Sequence, residues 1–207
     1  MEAILDVYQE EFDDRRPLIC MDEASRQILS DVVQPLPMQQ GSPRRVDDKY
    51  ERGGVRVLLL FYNPIAGWRR VGRRESRTRT DWAEEVRRLL EEDYPKAEQV
   101  TLVCDNLNTH DIASMYHAFD AATAHRLARR LRLVWTPKNG SWLNMAEMEL
   151  SVLARQCLGD RRFATEENMD REIAAWERDR NKHRHGANWR FTTSEARIKL
   201  KSLYPRP

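Results

Sequence analysis

The 207-residue sequence predicts an α/β domain built on a mixed five-stranded sheet. Three strand-like segments come first, and the last two are joined by a turn of hairpin length. Strand-like and helical segments then alternate as far as residue 135, and only helical patterns follow. Hairpin-connected strands followed by alternating helices and strands favour a mixed sheet with helices on its faces. The predicted order is therefore βββαβαβ, with additional C-terminal helices.

The first strand is predicted at the apolar run 17–21, and the proline-containing segment 34–43 is expected to form a loop. Residues 55–62 are almost continuously apolar, which is typical of a buried strand. The turn at 63–67 contains Asn, Pro and Gly, so residues 68–72 are expected to return antiparallel to that strand.

Helical periodicity begins after Thr80, which is expected to cap a helix that Pro95 ends. The remaining elements are predicted from apolar spacing and capping residues. They are a strand at 100–104, a helical stretch at 112–130 broken near Asp120, a strand at 131–135, a turn at 138–140, and helices starting at Ser141, Thr165 and Thr192, the last ending before Pro205. This element order is that of a ribonuclease-H-like domain.

Several function classes are excluded by composition. The longest apolar run, residues 57–62, is far shorter than the roughly 20 residues that span a bilayer, so no membrane partner is expected. The N-terminal residues are acidic and lack the basic start of a secretory signal, which favours a cytoplasmic, nucleoid-associated protein. The three cysteines are isolated in sequence and fit neither a disulfide framework nor a zinc knuckle, so we expect them to pack in the core.

Charge is unevenly distributed along the chain. Two arginine-rich clusters stand out, and such clusters can neutralise DNA phosphates. Isolated arginine runs are, however, more often solvated surface, and charge by itself does not decide between the two interpretations. The candidate DNA-binding residues are Arg69, Arg70, Arg73 and Arg74 from the first cluster, Arg180, Lys182 and Arg184 from the second cluster, and Lys138 from neither.

Two acidic residues directly follow buried strands of the predicted sheet. Asp22 comes after the first apolar run, and Asp105 comes after the fourth strand. An acid in such a place loses hydration unless a cation or a hydrogen bond meets it. Either residue alone is more typical of a turn or a helix cap, but two on neighbouring strands repel each other. Their repulsion indicates a cation site.

A third acid is expected from the helix that follows Ser141. Glu147 and Glu149 are two residues apart, about 200° around a helix, so only one of them can face a shared site. Spacing does not decide which one. Three carboxylates without His or Cys ligands form a hard oxygen site, which suits Mg²⁺ or Mn²⁺ rather than zinc.

Three sequence motifs resemble those of DDE transposase catalytic domains, in the bacterial insertion-sequence branch of the mariner superfamily. The motifs are CMDE at 20–23, CDNLNTH at 104–110 and TPKNGSWLNMAE at 136–147. The resemblance implies that Asp22, Asp105 and Glu147 are the catalytic acids and the metal ligands, with Asp22 bridging two Mg²⁺ or Mn²⁺ ions. It further implies cleavage at transposon ends and joining of the freed 3′-hydroxyl to target DNA, commonly at TA.

Residues close to these acids are candidates for supporting roles. Asn106 and His110 could orient a metal-bound carboxylate or a water, although Asn106 also fits an ordinary loop residue. Trp142 could stack on an unpaired base, but a Trp at a helix start is more often buried, and we expect it in the core.

Two other interpretations compete with an active transposase domain. The first is a catalytically silent DNA-binding or assembly subunit, and the second is a ribonuclease-H-like nuclease unconnected with transposition. Residues 1–207 are interpreted as a single catalytic domain without the family's N-terminal helix-turn-helix modules. Transposon-end and target DNA, a second copy of the chain, and a separately encoded N-terminal DNA-binding part are the expected partners.

Overall fold

The computed structural model describes residues 1–43, 45–138 and 140–204. Five strands form one sheet, as the sequence predicts: β1 (Leu18–Asp31), β2 (Tyr50–Asn63), β3 (Trp68–Arg74), β4 (Val100–Cys104) and β5 (Leu131–Trp135). Their spatial order is β3-β2-β1-β4-β5. β2 is antiparallel to both of its neighbours, β1 and β3, whereas β4 and β5 run parallel to β1. The sheet is therefore mixed, and the predicted α/β class is confirmed.

The α-helices of the described residues are α1 (Glu2–Val7), α2 (Arg79–Arg88), α3 (Ile112–Ala118), α4 (Ala121–Ala128), α5 (Met145–Leu153), α6 (Glu166–Lys182) and α7 (Thr193–Lys199). A single π-helical turn extends α2 over Leu89–Asp93, and another extends α5 over Ala154–Leu158. Short 3₁₀ turns cover Ser141–Leu143 and Lys201–Leu203. Among the described residues, no helix is both long enough and apolar enough to cross a membrane.

Two predicted helix starts are wrong. Thr78, not Thr80, caps α2, because its hydroxyl accepts from the backbone N–H of Asp81 while Asp81 accepts from the backbone of Thr78. Ser141 begins only a 3₁₀ turn, and Asn144 is the cap of α5. The break near Asp120 is confirmed, since its carboxylate caps α4. The predicted turn includes Asn139, and the predicted end of the last helix includes Pro205; both residues lie outside the described part of the chain.

The first two strands are longer than predicted. β1 pairs with β4 only over Leu18–Cys20, but its pairing with β2 continues to Asp31 opposite Tyr50. Beyond the main sheet, β1 and β2 therefore form a two-stranded ribbon. Because alternate residues along β1 face opposite sides of the sheet, Cys20 and Met21 belong to different core layers.

Helices cover both faces of the sheet. The layer that contains Cys20 packs against α1, α5 and α6, and the layer that contains Met21 packs against α2, α3 and α4. Cys20, Cys104 and Cys157 are all buried and unpaired, which confirms their predicted place in the core. The two layers hold the central strands rigidly, and these strands carry the acidic residues.

Helix α6 lies along the outer edge of β3. The Asn181 side chain accepts from the backbone N–H of Arg69 at 2.8 Å and donates to the Arg69 carbonyl at 2.8 Å. One turn earlier, the Glu177 carboxylate accepts from the backbone N–H of Val71. Side chains of one helix thus satisfy backbone groups that an edge strand would otherwise leave open.

Candidate active site

Asp22 and Asp105 lie on neighbouring parallel strands at the same level of the sheet. The last β1–β4 pair joins Cys20 to Val103, and each aspartate comes two residues after its member of that pair. The prediction that Asp22 ends its strand is wrong, because β1 continues and Asp22 pairs with Leu60 of β2. Asp105 does follow the end of β4 directly.

Glu147 reaches the same region from the first turn of α5. The cap residue Asn144 accepts from the backbone N–H of Ala146, and its amide donates to the Met21 carbonyl at 2.8 Å. Met21 precedes Asp22, so this buried hydrogen bond joins the start of α5 to β1 beside the aspartate. Glu149, on the other side of the helix, is 4% exposed and contacts Arg69 and Arg180 instead.

The electrostatics of Asp22 show that the acids are close together. Burial, together with the charges of Asp105, Glu147 and Glu23, raises the pKa of Asp22 from its ordinary value to about 6. The backbone N–H of Glu23 donates to Asp22 Oδ1 at 2.8 Å and opposes this rise. Asp22 is therefore the carboxylate on which burial and three neighbouring negative charges converge.

His110 connects two of these acids from the α2–α4 side of the sheet. Its Nδ1 lies 2.5 Å from Asp105 Oδ1. These two atoms form an ion pair but are not aligned as a hydrogen bond. The other ring nitrogen, Nε2, lies 3.1 Å from Glu23 Oε1. The ring stacks on Trp82 with centroids 5.6 Å apart, and the His110 carbonyl accepts from Trp135 Nε1 at 2.8 Å. The imidazole is 1% exposed and is held on every side.

The charge of His110 follows from these contacts. Burial lowers its pKa, but the interactions with Asp105, Cys104 and Glu23 outweigh burial and raise the pKa to about 11. The ring is thus an imidazolium at neutral pH. One cation stands against four clustered carboxylates, so the cluster keeps an excess of negative charge.

The donor set fits a hard divalent cation. Glu147 Oε2 is buried and has no hydrogen-bond partner, and an oxygen-only set of carboxylates is what Mg²⁺ and Mn²⁺ prefer. Within the described ranges, no three His, Cys, Asp or Glu side chains are already arranged around a common ion position. Carboxylates that repel one another separate without a cation, and side-chain rotation brings them together when one binds.

Other predicted site residues lie farther from the carboxylates or are solvent-exposed. Asn106 and Lys138 are exposed loop residues that follow β4 and β5. Trp142 is 42% exposed, so the expectation that it is buried in the core is wrong. Its 3₁₀ turn is too short to carry the side chain under α5, and the neighbouring Leu143 takes the core position.

Most of the first arginine cluster lies in ion pairs within the fold, which corrects its interpretation as a DNA-binding surface. Arg69 and Arg70 are 1% and 8% exposed, and neither can reach a phosphate without leaving the interior. Each of its four candidate DNA-binding arginines has acidic partners: Glu149 for Arg69, Glu85 and Asp93 for Arg70, Glu166 and Asp170 for Arg73, and Glu84 and Glu85 for Arg74. In the second cluster Arg180 binds Glu149, whereas Lys182 and Arg184 are exposed.

Sequence reasoning missed Glu23. The residue belongs to the CMDE motif, but strand alternation turns its side chain to the opposite face from Asp22, and no spacing rule connects it to the site. It enters the site through His110, 87 residues later in the chain. A buried histidine between two acids is visible only after folding.

A family model described as DDE superfamily endonuclease matches residues 17–170. The match covers most of the chain and includes all three predicted catalytic acids, and the chain belongs to this family. Among curated proteins, no sequence matches it significantly.

Solved structures with a similar fold are complexes of the Mos1 mariner transposase. The Mos1 mariner paired-end complex with Mn is 14% identical, has a TM-score of 0.56, and covers 89% of this chain and 54% of its own. A pre-cleavage Mos1 transpososome is 13% identical, with a TM-score of 0.53 and coverages of 92% and 60%. The similarity confirms the ribonuclease-H-like fold, and this chain spans little more than half the length of the Mos1 chains.

Proposed function

We propose that this domain cleaves and joins DNA strands by metal-dependent phosphoryl transfer, as the catalytic part of a transposase. The observation that carries the proposal is the meeting of Asp22, Asp105 and Glu147 charges at one place, with a buried oxygen of Glu147 that has no hydrogen-bond partner. Membership of the DDE endonuclease family supports the reaction class. The DNA complexes of Mos1 support a DNA substrate by analogy of fold.

Asp22, Asp105 and Glu147 would hold a pair of Mg²⁺ or Mn²⁺ ions. When bound, such a pair activates the attacking oxygen of a phosphodiester displacement and stabilises the leaving oxygen. His110 keeps Asp105 Oδ1 occupied, so the second oxygen of this carboxylate, whose side chain is 40% exposed, is directed to the solvent side of the cluster. The Asn144 hydrogen bond to Met21 keeps the start of α5 beside Asp22.

The test is Asp105→Asn, with strand cleavage of a labelled DNA duplex measured in Mn²⁺ and in Mg²⁺. Asparagine keeps the size of the side chain and removes its charge, so we expect cleavage to fall by about a hundredfold or more. Near-UV circular dichroism checks that the variant keeps its packing after loss of the His110 ion pair.

Asp160→Asn is the matched control, because Asp160 is exposed on the loop that follows the π turn of α5 and belongs to no site. It should cleave at the wild-type rate. Retention of metal-dependent cleavage by Asp105→Asn would contradict the proposed function.

A further inference from the structure

Helix α5 carries two glutamates in opposite environments. Glu147 faces the carboxylate cluster, whereas Glu149 lies in the middle of the helix face that packs against the sheet. The other buried residues of that face are Met145, Ala146 and Leu153, all apolar. Apolar contacts are not directional, so these three side chains fix the rotation of α5 about its axis only loosely.

Two arginines from different elements meet the Glu149 carboxylate. Arg69 of β3 places Nε 2.9 Å from Oε1, and Arg180 of α6 places Nε 2.8 Å from Oε1 and a terminal nitrogen 3.1 Å from Oε2. Charged pairs of this kind are directional, and the two-point contact from Arg180 specifies the orientation of the carboxylate. Arg69 meets Glu149 as an ion pair without the alignment of a hydrogen bond, so the two hydrogen bonds from Arg180 define the rotational setting of Glu149.

Arg69 cannot follow Glu149 if the helix turns. Its guanidinium also donates to the Gly67 carbonyl at 2.9 Å, to Asn181 Oδ1 at 3.2 Å and to the His185 carbonyl, and it lies 5.2 Å from the Tyr62 ring. Its backbone is bound to Asn181 as well. The arginine is thus a fixed point of the β3–α6 unit.

Stability alone does not account for this cluster. Burial of two guanidiniums and one carboxylate costs desolvation energy and leaves one net positive charge, and burial lowers the pKa of Arg69. Apolar side chains of similar volume often serve the fold equally well at such positions. What the charged residues add is a fixed orientation of the Glu149 side chain and of the helix that carries it.

We propose that Glu149, Arg69 and Arg180 form a positioning clamp, which sets the rotation of α5 so that Glu147 faces Asp22. Asn144 fixes the helix three residues before Glu147, and the clamp fixes it two residues after. The clamp touches neither DNA nor metal and acts through Glu147. This inference rests on the proposed function of Glu147 as a metal ligand.

The experiment compares Glu149→Gln with Glu166→Gln. Glu166 is a matched control because it too is bound by two arginines, Arg56 and Arg73, but these lie on β2 and β3 and its helix is α6, so no contact reaches α5. Arg180→Lys is a second test variant, since it keeps the charge and loses the two-point contact. The readouts are Mn²⁺ affinity by electron paramagnetic resonance, kcat and KM for DNA cleavage, and the thermal transition.

Glu149→Gln and Arg180→Lys should bind Mn²⁺ about tenfold more weakly and lower kcat with little change in the KM for DNA. Glu166→Gln should lower the thermal transition but keep wild-type Mn²⁺ affinity. Unchanged Mn²⁺ affinity in folded Arg180→Lys and Glu149→Gln would overturn the clamp, as would an equal loss in Glu166→Gln.

Failure of the proposed function gives a different result. In that case the wild-type protein would bind no Mn²⁺, or Asp105→Asn would cleave normally. Where wild-type Mn²⁺ binding does depend on Asp105, the clamp is contradicted by an affinity that is indifferent to Glu149 and Arg180, or by an equal loss in Glu166→Gln.

Discussion

The carboxylate cluster and the arginines of β3 are both dense charge clusters, but their charges are balanced differently. Each β3 arginine is met by one or two acids from α2, α5, α6 or the π turn after α2. In the carboxylate cluster His110 pairs with Glu23 and Asp105, whereas Asp22 and Glu147 have no cationic partner among the described residues, and buried Glu147 Oε2 has no hydrogen-bond partner. The difference teaches that a charge run in sequence indicates a binding site only when the fold leaves it without internal partners.

The largest expected effect is a loss of stability when a β3 arginine that pairs with acids inside the fold is removed. Arg70→Met leaves Asp93 without its ion-pair partner, while the nearly fully buried Glu85 keeps Arg74. We expect the free energy of unfolding to fall by about 3 kcal/mol, measured by urea denaturation. Arg126→Met is the control, because its pair with Glu91 is largely exposed and should cost at most about 1 kcal/mol. Equal losses of stability in Arg70→Met and Arg126→Met would contradict the contrast between buried and exposed ion pairs.

In the carboxylate cluster, removal of a charge is expected to raise the free energy of unfolding rather than lower it. The pKa of Asp22 is raised to about 6, so the protonated form is favoured in the folded state and its stabilisation is lost as pH rises through that value. Asp22→Asn removes the cost of ionisation and should raise the free energy of unfolding by roughly 1 to 3 kcal/mol at pH 8. The gain should fade towards pH 4, where both proteins are uncharged at this position. A loss of stability at pH 8 would show that the cluster is already neutralised.

The smallest expected effect concerns the salt dependence of DNA binding, and it compares exposed basic residues with arginines that are already paired. Lys182 and Arg184 are exposed, whereas Arg73 and Arg74 already pair with acids. If Lys182 and Arg184 contact phosphates, replacing both with Ala should make the slope of log K against log salt shallower by about 1 to 2. Replacing Arg73 and Arg74 should change it by less than about 0.5. Fluorescence anisotropy with a short duplex across a salt series measures both slopes.

Much of the fold follows from local patterns in the sequence. The bounds of β4 and β5 are the predicted ones, and the Thr165 and Thr192 caps were read from local sequence. Local patterns failed where tertiary contacts decide the structure. Helix α1 is six residues long and has no side-chain cap, so packing of Ile4, Leu5 and Val7 against the core must hold it.

The acids of the site were predictable from motifs, but their surroundings were not. Arg69 pairs with Glu149, 80 residues later, and His110, which joins Glu23 to Asp105, lies 87 residues after Glu23. Burial of Arg69 and Arg70 follows from partners on three helices, which no local pattern of charge encodes. Ion pairs of high sequence separation are properties of the fold.

The covering of β3 by α6 has a consequence for how this domain meets other proteins. An uncovered strand of this kind offers its backbone to any passing segment and so invites aggregation or exchange between chains. Asn181 occupies the outward backbone groups of Arg69, and Glu177 occupies the backbone N–H of Val71, so a strand from a neighbouring molecule cannot pair with this part of β3. Several copies of the domain can therefore be crowded together without joining their sheets there.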